Sequence, residues 1–408
     1  LNLKWARDRN VAIAPNGAMF KRDKQGFLPE LMEKMYTERV VYKKKAIEAK
    51  KEFQKTKDPI YSNEISRCHN IQMAKKISLN SAYGAIGNQY FRYFDVKQAE
   101  AITLGGQLSI RWVERDVNRF MNKLLGTDNK NYVVASDTDS IYLKLDTLVE
   151  KVCKGKSTKQ IVEFLNKAAE DKIQKVIDDS YQNLAHYVNA YQQKMIMKRE
   201  AIANKGIWVA KKRYMMNVFD EEGVQYDIPK LKIMGVEAVK SSTPEVCRGK
   251  IKDAIRVIMN DSEDALIKFV NDFKEVFKTL SPEEVAFPRS CNNVNRYVDS
   301  NSIYKKGTPI HVKGALIYNH HINKHRLSAK YPIIKDGDKI KFLMLKQPNT
   351  VKDTVISFST KIPYEFDLHK YVDYDTQFEK TFTDPLRFIL DSIGWKLERE
   401  ATLEAFFG

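Results

Sequence analysis

Hydrophobic positions along the chain follow a helical period in several long stretches and a strand period between them. Leu28–Gln54 is rich in Glu, Lys, Ala and Met, and Thr56-Lys57-Asp58-Pro59 breaks it. A second helical stretch runs from about Asn63 to Tyr83, with Gly84 as the expected C-cap. Two helices with so short a break predict an antiparallel helical hairpin. Ala99–Leu125 reads as an amphipathic helix, Lys159–Ala190 as one or two more, and Pro244–Leu280 and the region 375–393 as helical again. Pro15-Asn16-Gly17 predicts a turn before an extended Ala18-Met19-Phe20. Gly206–Val218 reads as one strand with Glu222-Gly223 as a turn beyond it, and 281–370 as short strands and loops. No internal repeat or low-complexity linker interrupts the pattern.

The sharpest strand signal is Val133-Val134-Ala135-Ser136-Asp137-Thr138-Asp139-Ser140-Ile141-Tyr142-Leu143. Its apolar, β-branched and aromatic flanks predict a half-buried hairpin, and its tip is acidic. Asp137 and Asp139 sit at i and i+2, so in a strand they share a face and in a tight turn they converge. Two carboxylates that close repel unless a cation lies between them. A hard divalent cation with oxygen ligands, such as Mg2+, is the natural candidate. The plain alternative is a turn in which Asp and Thr make local hydrogen bonds.

Composition sharpens this choice. Over 408 residues the chain carries 69 Lys and Arg against 52 Asp and Glu, a net charge of +17, with 43% hydrophobic residues. A long, folded, basic chain points to a polyanionic partner, nucleic acid first. No stretch reaches the roughly 20 apolar residues of a membrane span, so no membrane is expected. Cys68, Cys153, Cys247 and Cys291 are far apart and predict free thiols in a reducing compartment. His320, His321 and His325 cluster without a cysteine or acid at ligand spacing, and are expected on the surface or facing nucleic acid. The chain begins at Leu1 within what reads as folded sequence, which predicts a piece of something longer.

On the second helix, Lys76, Asn80 and Tyr83 fall at i, i+4 and i+7, on one face. A lysine, an amide and a tyrosine in one stripe suit neither a core nor an ordinary solvated face. On the first helix Arg39 and Lys43 stand at i and i+4, where like charges repel. The pair reads either as a solvated face or as a cationic surface for a triphosphate.

Lys76-Ile77-Ser78-Leu79-Asn80-Ser81-Ala82-Tyr83-Gly84 resembles the K-x-x-x-N-S-x-Y-G signature of family B DNA polymerases. Asp137-Thr138-Asp139-Ser140 resembles their D-T-D-S signature, and Lys211-Lys212-Arg213-Tyr214 their K-K-R-Y motif. Phe91-Arg92-Tyr93-Phe94-Asp95, Lys232-Ile233-Met234-Gly235 and Ser241-Ser242-Thr243-Pro244 are similar to the replicative enzymes of T-even-type tailed phages. The similarity runs over nearly the whole chain.

The resemblance implies an α+β fold: a palm built on an antiparallel sheet, helical-hairpin fingers and a mainly helical thumb. It places the palm at 1–29 and 85–240, the fingers at 30–84, the thumb at 241–401 and a clamp-binding peptide at 402–408. It implies two-metal, template-directed nucleotidyl transfer from a dNTP to a primer 3′-hydroxyl on primer-template DNA, with Mg2+ as cofactor. Asp139 matches the metal-binding aspartate, with Asp137 in support. Arg39, Lys43 and Lys76 match triphosphate-binding positions, and Asn80 and Tyr83 match positions lining the nascent pair. Lys211, Lys212, Arg213, Tyr214 and Lys240 match positions along the duplex. Leu403, Phe406 and Phe407 resemble the Leu/Phe-rich tail that docks on a sliding clamp. The D-x-x-S-L-Y-P signature with the other aspartate is absent from this sequence, as is the exonuclease. An N-terminal polymerase portion is therefore an expected partner, and inactivity of this chain alone an expected property. The alternative is a DNA-binding polymerase subunit with no activity of its own. Lys198 stands where phage relatives usually have Asp, which leaves Glu200 a weak accessory candidate. The expected location is the cytoplasm of an infected bacterial host.

Overall fold

The structure, a computed structural model, describes residues 3–299 and 302–397. The chain divides into two units, Leu1–Ala203 with Val218–Pro229, and Asn204–Asn217 with Lys230–Gly408.

The first unit opens with α1 (Lys4–Asp8) and an antiparallel hairpin of β1 (Val11–Ile13) and β2 (Met19–Lys21). The Pro15-Asn16-Gly17 turn joins the strands, with Gly17 at φ +80°. Two long helices follow, α2 (Phe27–Thr56) and α3 (Pro59–Ile86). Their reversal is local chemistry: Lys57 takes a left-handed φ of +57°, Pro59 starts α3, and the Asp58 side chain caps it by accepting the Ile60 N–H at 2.9 Å. The buried seam between them is made of small residues, Ala46, Ala49 and Cys68, beside Gln72. Lys75 crosses the hairpin to Glu38 at 2.5 Å. The expected stop at Gly84 is wrong by a turn. Helix α3 runs on to buried Ile86, whose carbonyl accepts the Asp95 N–H at 3.0 Å.

Helix α4 (Val96–Leu125) is capped by Asp95 and ended by left-handed Gly126. Val113, Val117, Met121 and Leu125 recur every four residues along it and are buried. They pack with Tyr132, Val133 and Leu148 and with Ile173, Ile177 and Tyr181 into one core. The remaining elements of that core are the hairpin β3 (Val133–Asp137) and β4 (Ser140–Leu143), α5 (Asp146–Val152), α6 (Thr158–Ala168) and α7 (Gln174–Tyr187). A π-helical turn, Ala169–Ile173, links α6 to α7.

The expected single strand at Gly206–Val218 is two strands. β5 (Ala201–Ala210) and β6 (Arg213–Glu221) are separated by a turn at Lys211 and Lys212, and β7 (Val224–Met234) completes a sheet in the order β5-β6-β7. Lys212 has φ +61°, which a strand does not allow. At the other end Glu222 and Gly223 form the expected turn, with φ of +54° and +82°.

In the second unit α8 (Glu245–Asn260), α9 (Glu263–Phe277) and the short α10 (Pro282–Val285) lead into β8 (Phe287–Cys291), α11 (Ile310–Lys324), β9 (Asp338–Met344) and β10 (Val355–Phe358). The sheet is antiparallel in the order β10-β9-β8. Helices α12 (Tyr374–Phe378) and α13 (Asp384–Asp391) follow. Helix α11 lies inside the stretch expected to hold only strands and loops. Val312, Leu316, Ile317, Tyr318 and Ile322 are buried around much of its circumference, so it has no single apolar stripe to read. It passes close to β10, because a Cβ on Gly314 would come within 2.8 Å of the Ser357 backbone nitrogen. The four cysteines are free, as expected, and all four are buried.

The histidine cluster is not a surface feature throughout. His320 and His325 are exposed, but His321 is buried, with the His325 and Phe366 rings at 5.8 and 5.7 Å. Burial, aided by His320, Lys324 and His325, lowers its pKa from 6.5 to about 4. The folded state therefore holds His321 neutral while the unfolded chain protonates near its ordinary value. That contribution to stability is complete above the unfolded pKa and is lost as pH falls toward the folded one. Urea unfolding of the second unit between about pH 7 and about pH 5 will show this loss, and the slope will flatten in His321→Leu.

Gly235 carries the chain past the Lys211-Lys212 turn at φ +66°, and a Cβ there would overlap the Lys212 carbonyl oxygen. Gly235→Ala is expected to lower stability by at least about 1–2 kcal/mol, read in the same unfolding assay.

Candidate active site

The acidic tip is built by α4 and a bulge. Asn118 on α4 accepts the Tyr132 and Val133 N–H groups at 2.8 and 3.1 Å on its side-chain oxygen. One helical turn on, Asn122 bonds both the N–H and the carbonyl of Lys130, at 2.9 and 2.8 Å. These two amides clamp the chain entering β3. Pairing then shifts between Val133 and Ala135: Val133 opposes Leu143, whereas Ala135 opposes Tyr142 and Asp137 opposes Ser140. In a regular strand Val133 and Asp137, four apart, would share a face. The extra residue, Val134, puts Val133 in the core with Ile141 and Leu143 and leaves Asp137 on the opposite face with Ser140.

The turn itself is strained. Thr138 is the first of two turn residues and has φ +55°, while Asp139 does not have a positive φ. A positive φ at that place is one that Gly adopts at no steric cost. A β-branched residue there costs about 1–3 kcal/mol. The Asp139 N–H bonds the Asp137 carbonyl at 2.6 Å, Ser140 Oγ donates to the same carbonyl at 3.1 Å, and Thr138 Oγ1 donates to Asp137 Oδ1 at 3.0 Å. Asp139 is exposed and Asp137 half-buried. Burial and the nearby Asp139 charge raise the Tyr181 phenol above its ordinary value.

Among the described residues no three His, Cys, Asp or Glu side chains converge as a metal site. Asp137 and Asp139 supply two hard oxygen donors. Mg2+ is commonly held by one or two carboxylates together with substrate phosphates, so this donor set fits such an ion.

The nucleotide candidates lie in the same unit. Lys76, Asn80 and Tyr83 are all exposed, and the Tyr83 hydroxyl meets Thr103 Oγ1 at 2.8 Å. Across the helical hairpin, Arg39 is half-buried with its Nε enclosed and unpartnered. Lys43 is ion-paired with Glu222.

The duplex candidates lie mostly on one turn of the second unit. Lys211 and Lys212 are exposed. Arg213 donates to Glu237 at 2.7 Å and covers the Phe388 ring at 5.3 Å. Lys240 reaches the same carboxylate at 2.8 Å. Burial works against the Glu237 charge, but Lys240 and Arg213 still hold its pKa below the usual carboxylate range. Tyr214 is buried and stacks on Trp208 at 5.9 Å, so it supports the turn from beneath. Sequence reading missed Asn118, Asn122 and Glu237. Their signal is contact with a distant segment, which residue type alone does not carry. Glu200 uses its backbone carbonyl to accept the Glu222 N–H at 2.7 Å. Leu403, Phe406 and Phe407 lie outside the described residues.

Among the described residues no helix is long and apolar enough to cross a membrane. The family model for DNA polymerase family B matches residues 2–182. The DNA-directed DNA polymerase of Enterobacteria phage T4 is 32% identical over 97% of this chain and 50% of its own length. That of Escherichia phage RB69 is also 32% identical, with the same coverage. DNA polymerase 1 of Pyrococcus abyssi is 27% identical over 95% of this chain and 42% of its own length. The chain thus spans about half the length of the curated phage relatives it matches. In fold it is similar to the family B DNA polymerase of Pyrobaculum calidifontis, with a TM-score of 0.52 and 19% identity over 95% of this chain and 41% of that one. With the acidic hairpin, the Lys-Asn-Tyr stripe and the basic turn all in place, the protein belongs to DNA polymerase family B and is of the T-even phage type.

Proposed function

We propose that this chain is the C-terminal portion of a template-directed DNA polymerase and carries most of its nucleotidyl-transfer site. The observation that carries this reading is the strained acidic tip. Clamping by Asn118, the Val134 bulge and a threonine at φ +55° fix the backbone that carries Asp137 and Asp139. A turn that needed only to reverse the chain would have little use for that strain. Asp139, with Asp137 beside it, would hold Mg2+; two such ions, when bound, supply the charge that activates a primer 3′-hydroxyl and stabilises pyrophosphate.

The protein side of the reaction is positioning and charge. Lys76, Arg39 and Lys43 would hold the triphosphate, lysine as a point charge and arginine as a fork. Tyr83 and Asn80 would line the nascent pair, and the exposed Lys211 and Lys212, with Lys240, would follow the primer-template duplex. Minor-groove acceptors are nearly alike for every correct pair, so a lysine there checks geometry without reading sequence. In this layout the α2–α3 hairpin forms the fingers, 1–29 and 85–240 the palm, 241–401 the thumb and 402–408 a clamp-binding tail.

Asp137 and Asp139 are the two acids of the tip. In this reading an aspartate of an N-terminal polymerase portion would complete the metal set; the second reading is a polymerase subunit that is inactive alone. The setting would be replication in an infected bacterial cell.

Primer extension tests the reading directly. With the N-terminal portion supplied, Asp139→Ala will abolish extension and leave duplex binding in a gel-shift assay largely unchanged. Lys76→Ala will lower incorporation mainly through the dNTP KM, whereas Lys212→Ala will weaken primer-template binding and reduce its salt dependence by about one ion. Equal loss of DNA affinity in both lysine variants would defeat this division of roles.

Deletion of 402–408 will leave melting and short-primer extension unchanged and remove stimulation by the sliding clamp, because a tethered peptide raises the effective concentration of its partner. A fall in Tm with an intact clamp response would place Phe406 and Phe407 in the core instead.

A further inference from the structure

The end of β6 and its turn into β7 carry three consecutive acids, and each has its own partner. Asp220 is buried, ion-paired with Arg199, and accepts the Gly223 N–H at 2.9 Å. Arg199 is bonded in turn to Asn166 on α6. Glu221 accepts from the Tyr226 hydroxyl at 3.4 Å. Burial and the charges of Glu221, Asp220 and Glu222 push that phenol up to about 12. Glu222 has its N–H bonded to the Glu200 carbonyl at 2.7 Å, and its carboxylate meets Lys43 of α2. Two helical turns further along the same face of α2, Lys51 lies over Gly223: its Nζ would stand 3.2 Å from a Cβ built there. The helix therefore rests on this turn through cations at both ends of the contact.

The Glu222 backbone is held on both sides, by the Arg199–Asp220 pair and by Glu200, so its carboxylate is presented from a fixed support. Lys43, by contrast, sits on a long helix whose buried seam is only small residues. We propose that Glu222 is a positioning residue for Lys43: its carboxylate occupies the Lys43 ammonium until a nucleoside triphosphate displaces it. This rests on the reading of Lys43 as a triphosphate ligand, and it adds an internal competitor to that site. An anionic side chain and a triphosphate cannot both hold one ammonium at full strength. The ion pair therefore reduces the fraction of protein ready to bind and raises the triphosphate concentration needed. Both side chains are partly exposed, 42% for Lys43 and 27% for Glu222, so the restraint is mild and reversible.

Residue-resolved lysine labelling tests the proposal on the whole 408-residue chain. Wild type, Glu222→Gln and Lys76→Ala are reductively methylated with and without dTTP, and modification of Lys43 is read by peptide mass spectrometry. Without nucleotide, Lys43 will be modified faster in Glu222→Gln than in wild type. With dTTP, half-protection of Lys43 in Glu222→Gln will need about two- to fivefold less nucleotide. In the assembled enzyme the same variant will lower the dTTP KM and leave kcat unchanged, a split that general loosening of the fold would not produce. An unchanged labelling rate in Glu222→Gln, or an unchanged dTTP midpoint, overturns the proposal. Failure of dTTP to protect Lys43 in wild type and in Glu222→Gln alike overturns the triphosphate reading beneath it. Lys76→Ala separates the two failures: loss of protection there, with no Glu222 effect, keeps the nucleotide site and removes the competitor.

Discussion

Asp137 and Asp139 stand on one short hairpin, and the backbone that carries them is held from elsewhere in the first unit. Mutual repulsion opposes every conformation that brings Asp137 and Asp139 to the same side. A short hairpin of two strands does not withstand that on its own, since isolated hairpins are marginal in water. The support comes from α4, whose four-residue apolar repeat anchors the core and whose Asn118 and Asn122 clamp the chain entering β3. The Val134 bulge then separates the buried flank from the acidic face. Strain at Thr138 adds to the same effect, because a turn with φ +55° at a β-branched residue persists only where its surroundings over-determine it.

The basic surfaces are organised differently. In the second unit Glu237 ties Arg213 and Lys240 together, while Lys211 and Lys212 remain exposed at the turn. A single acid thus holds both cations nearest the fold. Gly235 is the backbone condition for that arrangement, because only a residue without Cβ passes the Lys212 carbonyl. In the first unit the triphosphate candidates are split between Lys76, which is exposed, and Lys43, which has a carboxylate of the chain itself against it. The two lysines are therefore held with different degrees of restraint.

Much of this was legible in the residues, and the reason is locality. The helical hairpin follows from period and from Lys57-Asp58-Pro59, which act through neighbouring backbone groups. The acidic hairpin follows from alternation, and the Lys-Asn-Tyr stripe from a spacing of four and three. Misplaced features share the opposite property. Helix α3 passes Gly84 because a later backbone N–H, from Asp95, takes the Ile86 carbonyl. Helix α11 was hidden because a helix buried over much of its surface shows no period. The Lys211-Lys212 turn was hidden inside a run of strand-forming residues, and its left-handed Lys212 becomes clear only with Gly235 packed across it.

The sequence by itself determined the motifs, their order and the family they belong to, since those rest on residue identity and short spacing. Tertiary structure decided which members of each motif are available. Within Lys211–Tyr214 it exposed two lysines, tied Arg213 to Glu237 and buried Tyr214 against Trp208. Of the three clustered histidines it buried one. Against Lys43 it set Glu222, a residue 179 positions away in the chain. Partners so distant are chosen by packing, because the free energy of an ion pair or a buried ring depends on what surrounds it and not on the residue alone.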